Sequence, residues 1–120
     1  MDEIRLRRVE EQLRDVIAEL ILGGQVKDPR VGPFVSVTRV EAARDLSAAK
    51  VFVSVFPGTE GDEEKILSLA AEGLQSAAGF IQAQLAKRMK TRLTPRLSFF
   101  ADKGIKEGFE LNERMKGLFS

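Results

Sequence analysis

The sequence predicts an α+β fold: a single domain in the order α-β-β-α-α-β, with a three-stranded sheet packed by helices. Three observations carry that expectation. Apolar residues recur at three- and four-residue spacing over long stretches, as on one face of a helix. Between them lie short runs rich in β-branched and aromatic residues, bounded by glycine, proline and aspartate. A length of 120 residues, 43% of them apolar, suits one domain with a real core.

The first helix is expected over Glu3–Leu22. Leu6, Val9, Leu13, Val16, Ile17 and Leu20 share a face, and Gly23-Gly24 stops the run. Its outer face pairs Glu10 with Arg14 and Arg7 with Glu11 at four-residue spacing, each worth about 0.3 kcal/mol. Gln25 to Pro33 is a loop, with turn chemistry in Lys27-Asp28-Pro29-Arg30 and a second breaker in Gly32-Pro33. Phe34–Glu41 reads as a strand, with Val35, Val37 and Arg39 on one face and Phe34, Ser36, Thr38 and Val40 on the other. Ala42 to Ala48 connects, with Asp45 as the turn residue. Ala49–Phe56 is the clearest strand. Ala49, Val51, Val53 and Val55 oppose Lys50, Phe52, Ser54 and Phe56, and the pair should run antiparallel.

Pro57 to Gly61 breaks the chain, and Asp62 is placed to cap the next helix, 62–78. Ile66, Leu67, Ala70, Leu74 and Ala77 form its stripe. A third helix, 80–91, carries Ile81, Leu85 and Met89. The two meet at Ala77-Ala78-Gly79, small side chains that let one helix end and another begin, or bend a single one. Thr94-Pro95 closes the third helix, since a residue before proline avoids the α region. Leu97–Ala101 is a third strand. Reached through helices, it should pair in parallel by a right-handed crossover. Residues 1–103 then form the domain. Residues 104–120, weakly helical through Ile105, Phe109, Leu111, Met115 and Leu118, form a C-terminal segment that is loosely packed or mobile. This order, with a joint between the second and third helices, is that of a type II KH domain. KH domains clamp nucleotides with a GXXG loop, and no GXXG stands at this joint.

Composition narrows the function. The net charge is +1, so any electrostatic argument must rest on how charge is distributed. With no Cys and no His, the chain lacks thiolate chemistry, the usual metal ligand and the usual neutral-pH base. No metal or cofactor is expected. The charged opening Met-Asp-Glu does not read as a secretory signal, and no apolar run approaches the ~20 residues of a membrane span. The chain reads as a cytoplasmic monomer. It shows neither GxxxxGK[ST] nor GxSxG, and Asp62-Glu63-Glu64 suits a helix N-terminus better than a catalytic pair. An enzyme is not expected.

What remains is positive charge. Lys87, Arg88, Lys90, Arg92 and Arg96 follow one another with no acidic residue between them. A solvated helix face is the plain reading; a surface for nucleic acid phosphates is the sharper one. Arg7 and Arg8, with Arg5, crowd the first turns of helix one, where the dipole disfavours cations. Either they pair with Glu11 and its neighbours or they meet an external anion. Lys27 and Arg30 sit on the short loop. Phe52 and Phe56 should be partly covered by packing, the alternative being an exposed stripe on which bases stack.

Several stretches together resemble the bacterial ribosome-binding factor A family over nearly the whole length. They are Arg8-Val9, Lys27-Asp28-Pro29-Arg30-Val31-Gly32, Val37-Thr38-Arg39-Val40, Asp45 through Val55, Ala77-Ala78-Gly79-Phe80-Ile81, and Arg92-Leu93-Thr94-Pro95 with Leu97, Phe99 and Asp102. The resemblance implies a KH type II-like fold whose GXXG loop is replaced by an Ala-x-Gly interhelical kink, here Ala77, Ala78 and Gly79. It implies a non-catalytic assembly factor, linked to cold adaptation. Such a factor binds the free 30S subunit and 16S rRNA and assists late maturation of the 5′ end of that RNA. The RNA-binding set is then Arg7, Arg8, Lys27, Arg30, Lys87, Arg88, Lys90, Arg92 and Arg96. Three places depart from the family pattern: Gln82 where arginine is common, Arg96 where an acid often follows the proline, and Lys103-Gly104. The competing reading is a protein-interaction module of the same fold that does not touch RNA.

Overall fold

The computed structural model describes residues 2–56, 61–89 and 93–102. Helix α1 spans Glu3–Leu22, as its periodicity predicts. Asp2 caps it by accepting the Arg5 N–H at 2.9 Å, which satisfies a donor that a helix start leaves open. At the other end Gly24 takes a φ of 69°. Its N–H donates to the Ile21 carbonyl and that of Gln25 to Leu20, the two bonds that close a helix on a left-handed residue. Glycine adopts that backbone without a Cβ clash.

Strands β1 (Val35–Ala42), β2 (Ala48–Val55) and β3 (Arg96–Ala101) lie side by side in that order. β1 and β2 pair antiparallel, β2 and β3 in parallel, both as expected. At the hairpin, Asp45 Oδ1 accepts from the Ser47 hydroxyl at 2.7 Å and the Ser47 N–H at 3.0 Å. Those bonds hold the Asp45 carboxyl below its ordinary pKa. Leu46 folds inward with a φ of 59°, a left-handed backbone that burial of its side chain offsets.

One expectation fails in β1. The pairing runs Val37 with Val53 and then Arg39 with Phe52, leaving Thr38 as the extra residue of a β-bulge. A bulge shifts the phase of alternation. Val40 therefore turns into the core, and Arg39, expected beside Val35 and Val37, turns onto the opposite face. Thr38 anchors the bulge: its hydroxyl lies 3.1 Å from the Phe52 carbonyl and 2.7 Å from Asp102 Oδ2.

Helix α2 spans Glu63–Ser76 and is capped by Asp62, whose carboxylate accepts from the Glu64 and Lys65 N–H groups. Helix α3 spans Ala78–Arg88. A single residue, Ala77, separates them, with φ −91° and ψ 4°. The joint thus lies two residues before Gly79, which sits in the first turn of α3. Met89 is already extended, so α3 ends well before Thr94-Pro95. Leu13, Ile17, Leu67, Leu74, Ile81 and Leu85 pack onto Val51, Val53, Leu97 and Phe99 of the sheet. Among the described residues, all of this core lies on one face of the sheet. The C-terminal segment 104–120 lies outside the described residues.

Candidate nucleic-acid interface

The expected basic residues fall into separate groups. Lys87 and Arg88 occupy the last turn of α3, where the helix dipole favours cations. Arg88 Nη1 lies 3.1 Å from Glu19 Oε2 and ties α3 to α1. Lys87 is exposed and makes no ion pair with a described residue. Arg7 and Arg8 are exposed on α1, and neither pairs with Glu11 among the described residues. Nor does Glu10 pair with Arg14: it accepts the Ala42 N–H of β1 at 2.8 Å, and Arg14 turns to Asp15. Arg8 precedes Glu19 by eleven residues, about 16 Å of helix. The structure therefore does not bring Arg7 and Arg8 together with the end of α3. Lys90 and Arg92 lie outside the described residues.

Arg30 is engaged internally. Its Nε and Nη2 grip the two Asp28 oxygens at 2.9 and 2.7 Å, a bidentate pair. Nη2 also reaches the Ser76 hydroxyl at 3.1 Å, at the end of α2. The guanidinium, with the Arg30 N–H, lowers the Asp28 carboxyl to a pKa of about 2. The loop lies so close to α2 that a Cβ at Gly73 would come within 2.9 Å of Val31 Cγ2 and 3.0 Å of Asp28 Oδ1. Arg30 thus latches the Lys27–Gly32 loop beside the joint, while Lys27 remains exposed.

The outer edge of β3 is closed. Gln75 of α2 donates to the Leu97 carbonyl at 3.1 Å and accepts the Phe99 N–H at 2.9 Å. Gln82 of α3 accepts the Leu97 N–H at 3.0 Å. Two amides, one from each side of the joint, thus take up the outward groups of Leu97 and the Phe99 N–H, which an added strand would otherwise bond.

The sequence model of the ribosome-binding factor A family matches residues 5–115. The chain belongs to that family. The ribosome-binding factor A of Treponema pallidum is 40% identical over 120 residues, covering all of this chain and 91% of the relative. The solution structure of a ribosome-binding factor A-like protein from Thermotoga maritima superposes with a TM-score of 0.67 at 30% identity, covering 88% of this chain and 94% of that one. A Thermus thermophilus ribosome-binding factor A, fitted into the cryo-EM map of a 30S complex, superposes with a TM-score of 0.59 at 30% identity, covering 82% and 97%. The chain's α-β-β-α-α-β order is of the type II KH kind.

In this family member the second face of the sheet joins Phe52 and Arg96, both raised by the sequence, to Phe100, Arg39 and Lys50, which the sequence did not assign to a site. Phe52 and Phe100 stack at 5.7 Å between centroids, and the Arg39 guanidinium lies 4.2 Å above the Phe52 ring. Lys50 and Arg96 lie on the same face, Arg96 apart from its expected neighbours on α3. The doublet Phe99-Phe100 is the available signal: in a strand, one of two adjacent aromatics must face away from the core. Among the described residues, no cluster of acidic side chains is arranged to hold a metal ion, and no helix is long and apolar enough to cross a membrane.

Proposed function

We propose that this chain is a ribosome assembly factor that binds the free 30S subunit through 16S rRNA. Acting in the cytoplasm and without catalysis of its own, it assists late maturation of the 16S rRNA 5′ end. The single observation behind this reading is the exposed pair Lys87 and Arg88 at the end of α3, a helix tied to β3 by Gln82 and to α1 by Arg88 itself. Cations on a rigid element grip phosphates at fixed positions without reading sequence. Membership of the family, and the Thermus relative placed in a 30S complex, support the same partner.

A salt series with isolated small subunits tests this. Affinity should fall with log[salt] at about −0.7 to −0.9 per phosphate contacted, and Lys87→Glu should flatten that slope. Glu19→Gln, which frees the Arg88 guanidinium, should raise affinity. Binding indifferent to salt would instead favour a protein contact and defeat the reading.

A further inference from the structure

We propose that the open face of the sheet is a second RNA contact, on which an unpaired base of a single-stranded segment stacks against Phe100 beside the Arg39–Phe52 pair. The inference rests on the RNA-binding reading above and adds to it a place and a chemistry. Phe100 is 42% exposed although it is a large apolar side chain, and among the described residues no helix covers it. Its ring is not loose: Phe52 stacks on it, and Arg39 covers Phe52 in turn. A supported, half-open aromatic ring is a stacking platform that accepts any base, because every base has a π-face.

The surroundings favour an anionic partner. Arg39, Lys50 and Arg96 share this face with one strand acid, Glu41, which already lies 3.6 Å from Arg39. Asp102 is turned into the Thr38 hydroxyl. Lys50 stands two residues from Phe52 on β2, about 7 Å away. Next to it Glu41, Lys50 and Ser98 line a shallow depression of about 340 Å³ that crosses all three strands. This face offers the stacked Phe52 and Phe100 rings and a rim of cations, which suit a base and its phosphates. The β3 edge, where a strand or a base could otherwise bond to the backbone, is closed by Gln75 and Gln82. The bulge at Thr38 makes the arrangement possible, since without it Arg39 would point into the core side.

The chain has no Trp and no Tyr, so Phe100→Trp in the full chain supplies a single fluorescent reporter at the site. Single-stranded RNA of about eight nucleotides should quench its emission, whereas a duplex of equal charge should not. Phe100→Ala should weaken binding of the same oligonucleotide roughly 5- to 100-fold, with the salt slope unchanged because no phosphate contact is lost. Full-strength binding of the oligonucleotide by Phe100→Ala, with unquenched indole emission from Phe100→Trp, overturns the proposal. If small-subunit binding stays steeply salt-dependent in that case, the assembly-factor reading survives without it. If salt dependence is absent in the unmodified chain, that reading fails first. Emission that changes with protein concentration alone would identify a second copy of the chain as the occupant and likewise overturn the RNA assignment.

Discussion

Gln82 on α3 accepts the Leu97 N–H of β3 at 3.0 Å, so a side chain just past the helix joint holds the edge of the sheet. With Gln75 on the other side of the joint, it relates both helices to one strand. Gln82→Leu keeps the bulk and removes the acceptor, leaving the Leu97 N–H part-buried and unpaired. The expected cost is about 1 kcal/mol, read by chemical denaturation, with faster amide exchange at Leu97. Unchanged exchange there would show that the glutamine does not hold the strand.

Small side chains in the sequence point to Gly79 as part of the joint, but the structure places it inside the first turn of α3. A Cβ added there meets nothing within 4 Å. The helix turns instead at Ala77. Gly79→Ala should therefore stabilise the protein by about 0.4–1 kcal/mol, because alanine fits the space and the backbone there and leaves the unfolded chain less freedom to lose. Small-subunit affinity should be unaltered. A loss of binding in the stabilised variant would return the joint to Gly79.

The Asp28–Arg30 latch makes an acid-dependent prediction. Hydrogen bonds from the Arg30 guanidinium, then from its N–H, lower the Asp28 carboxyl from its ordinary 3.8 to about 2. A depressed carboxylate stabilises the fold above its unfolded pKa, and that contribution is lost as pH falls toward the folded one. Asp28→Asn should be less stable than the parent chain at neutral pH. The gap should hold down to about pH 5 and close between about pH 4 and 2. Urea titrations across that range read it directly, and a gap that stays constant to pH 2 would count against the latch.

Most of the fold is legible because periodicity reports burial. Leu13, Ile17 and Leu20 recur as a helix face must, and Val51 and Val53 alternate as a strand must. Asp62 and Asp45 act locally, within a few residues, and local chemistry survives in a linear reading. Several failures involve partners distant in the chain. Glu10 is spaced to meet Arg14 and instead bonds to Ala42, 32 residues away. Arg88 reads as a free cation and pairs with Glu19, 69 residues away. Arg30, one of the cations expected to meet RNA, serves as a latch to Asp28 and Ser76.

The sequence by itself determined the order of elements, the starts of the first two helices and the side of β2 that enters the core, because hydrophobic spacing and capping chemistry are properties of neighbours along the chain. Only the tertiary structure decided where Arg39 points, which cations stand apart and that the β3 edge is closed. A one-residue bulge reverses alternation without a mark in composition, and a glutamine amide closes a strand edge only once folding has brought the two together.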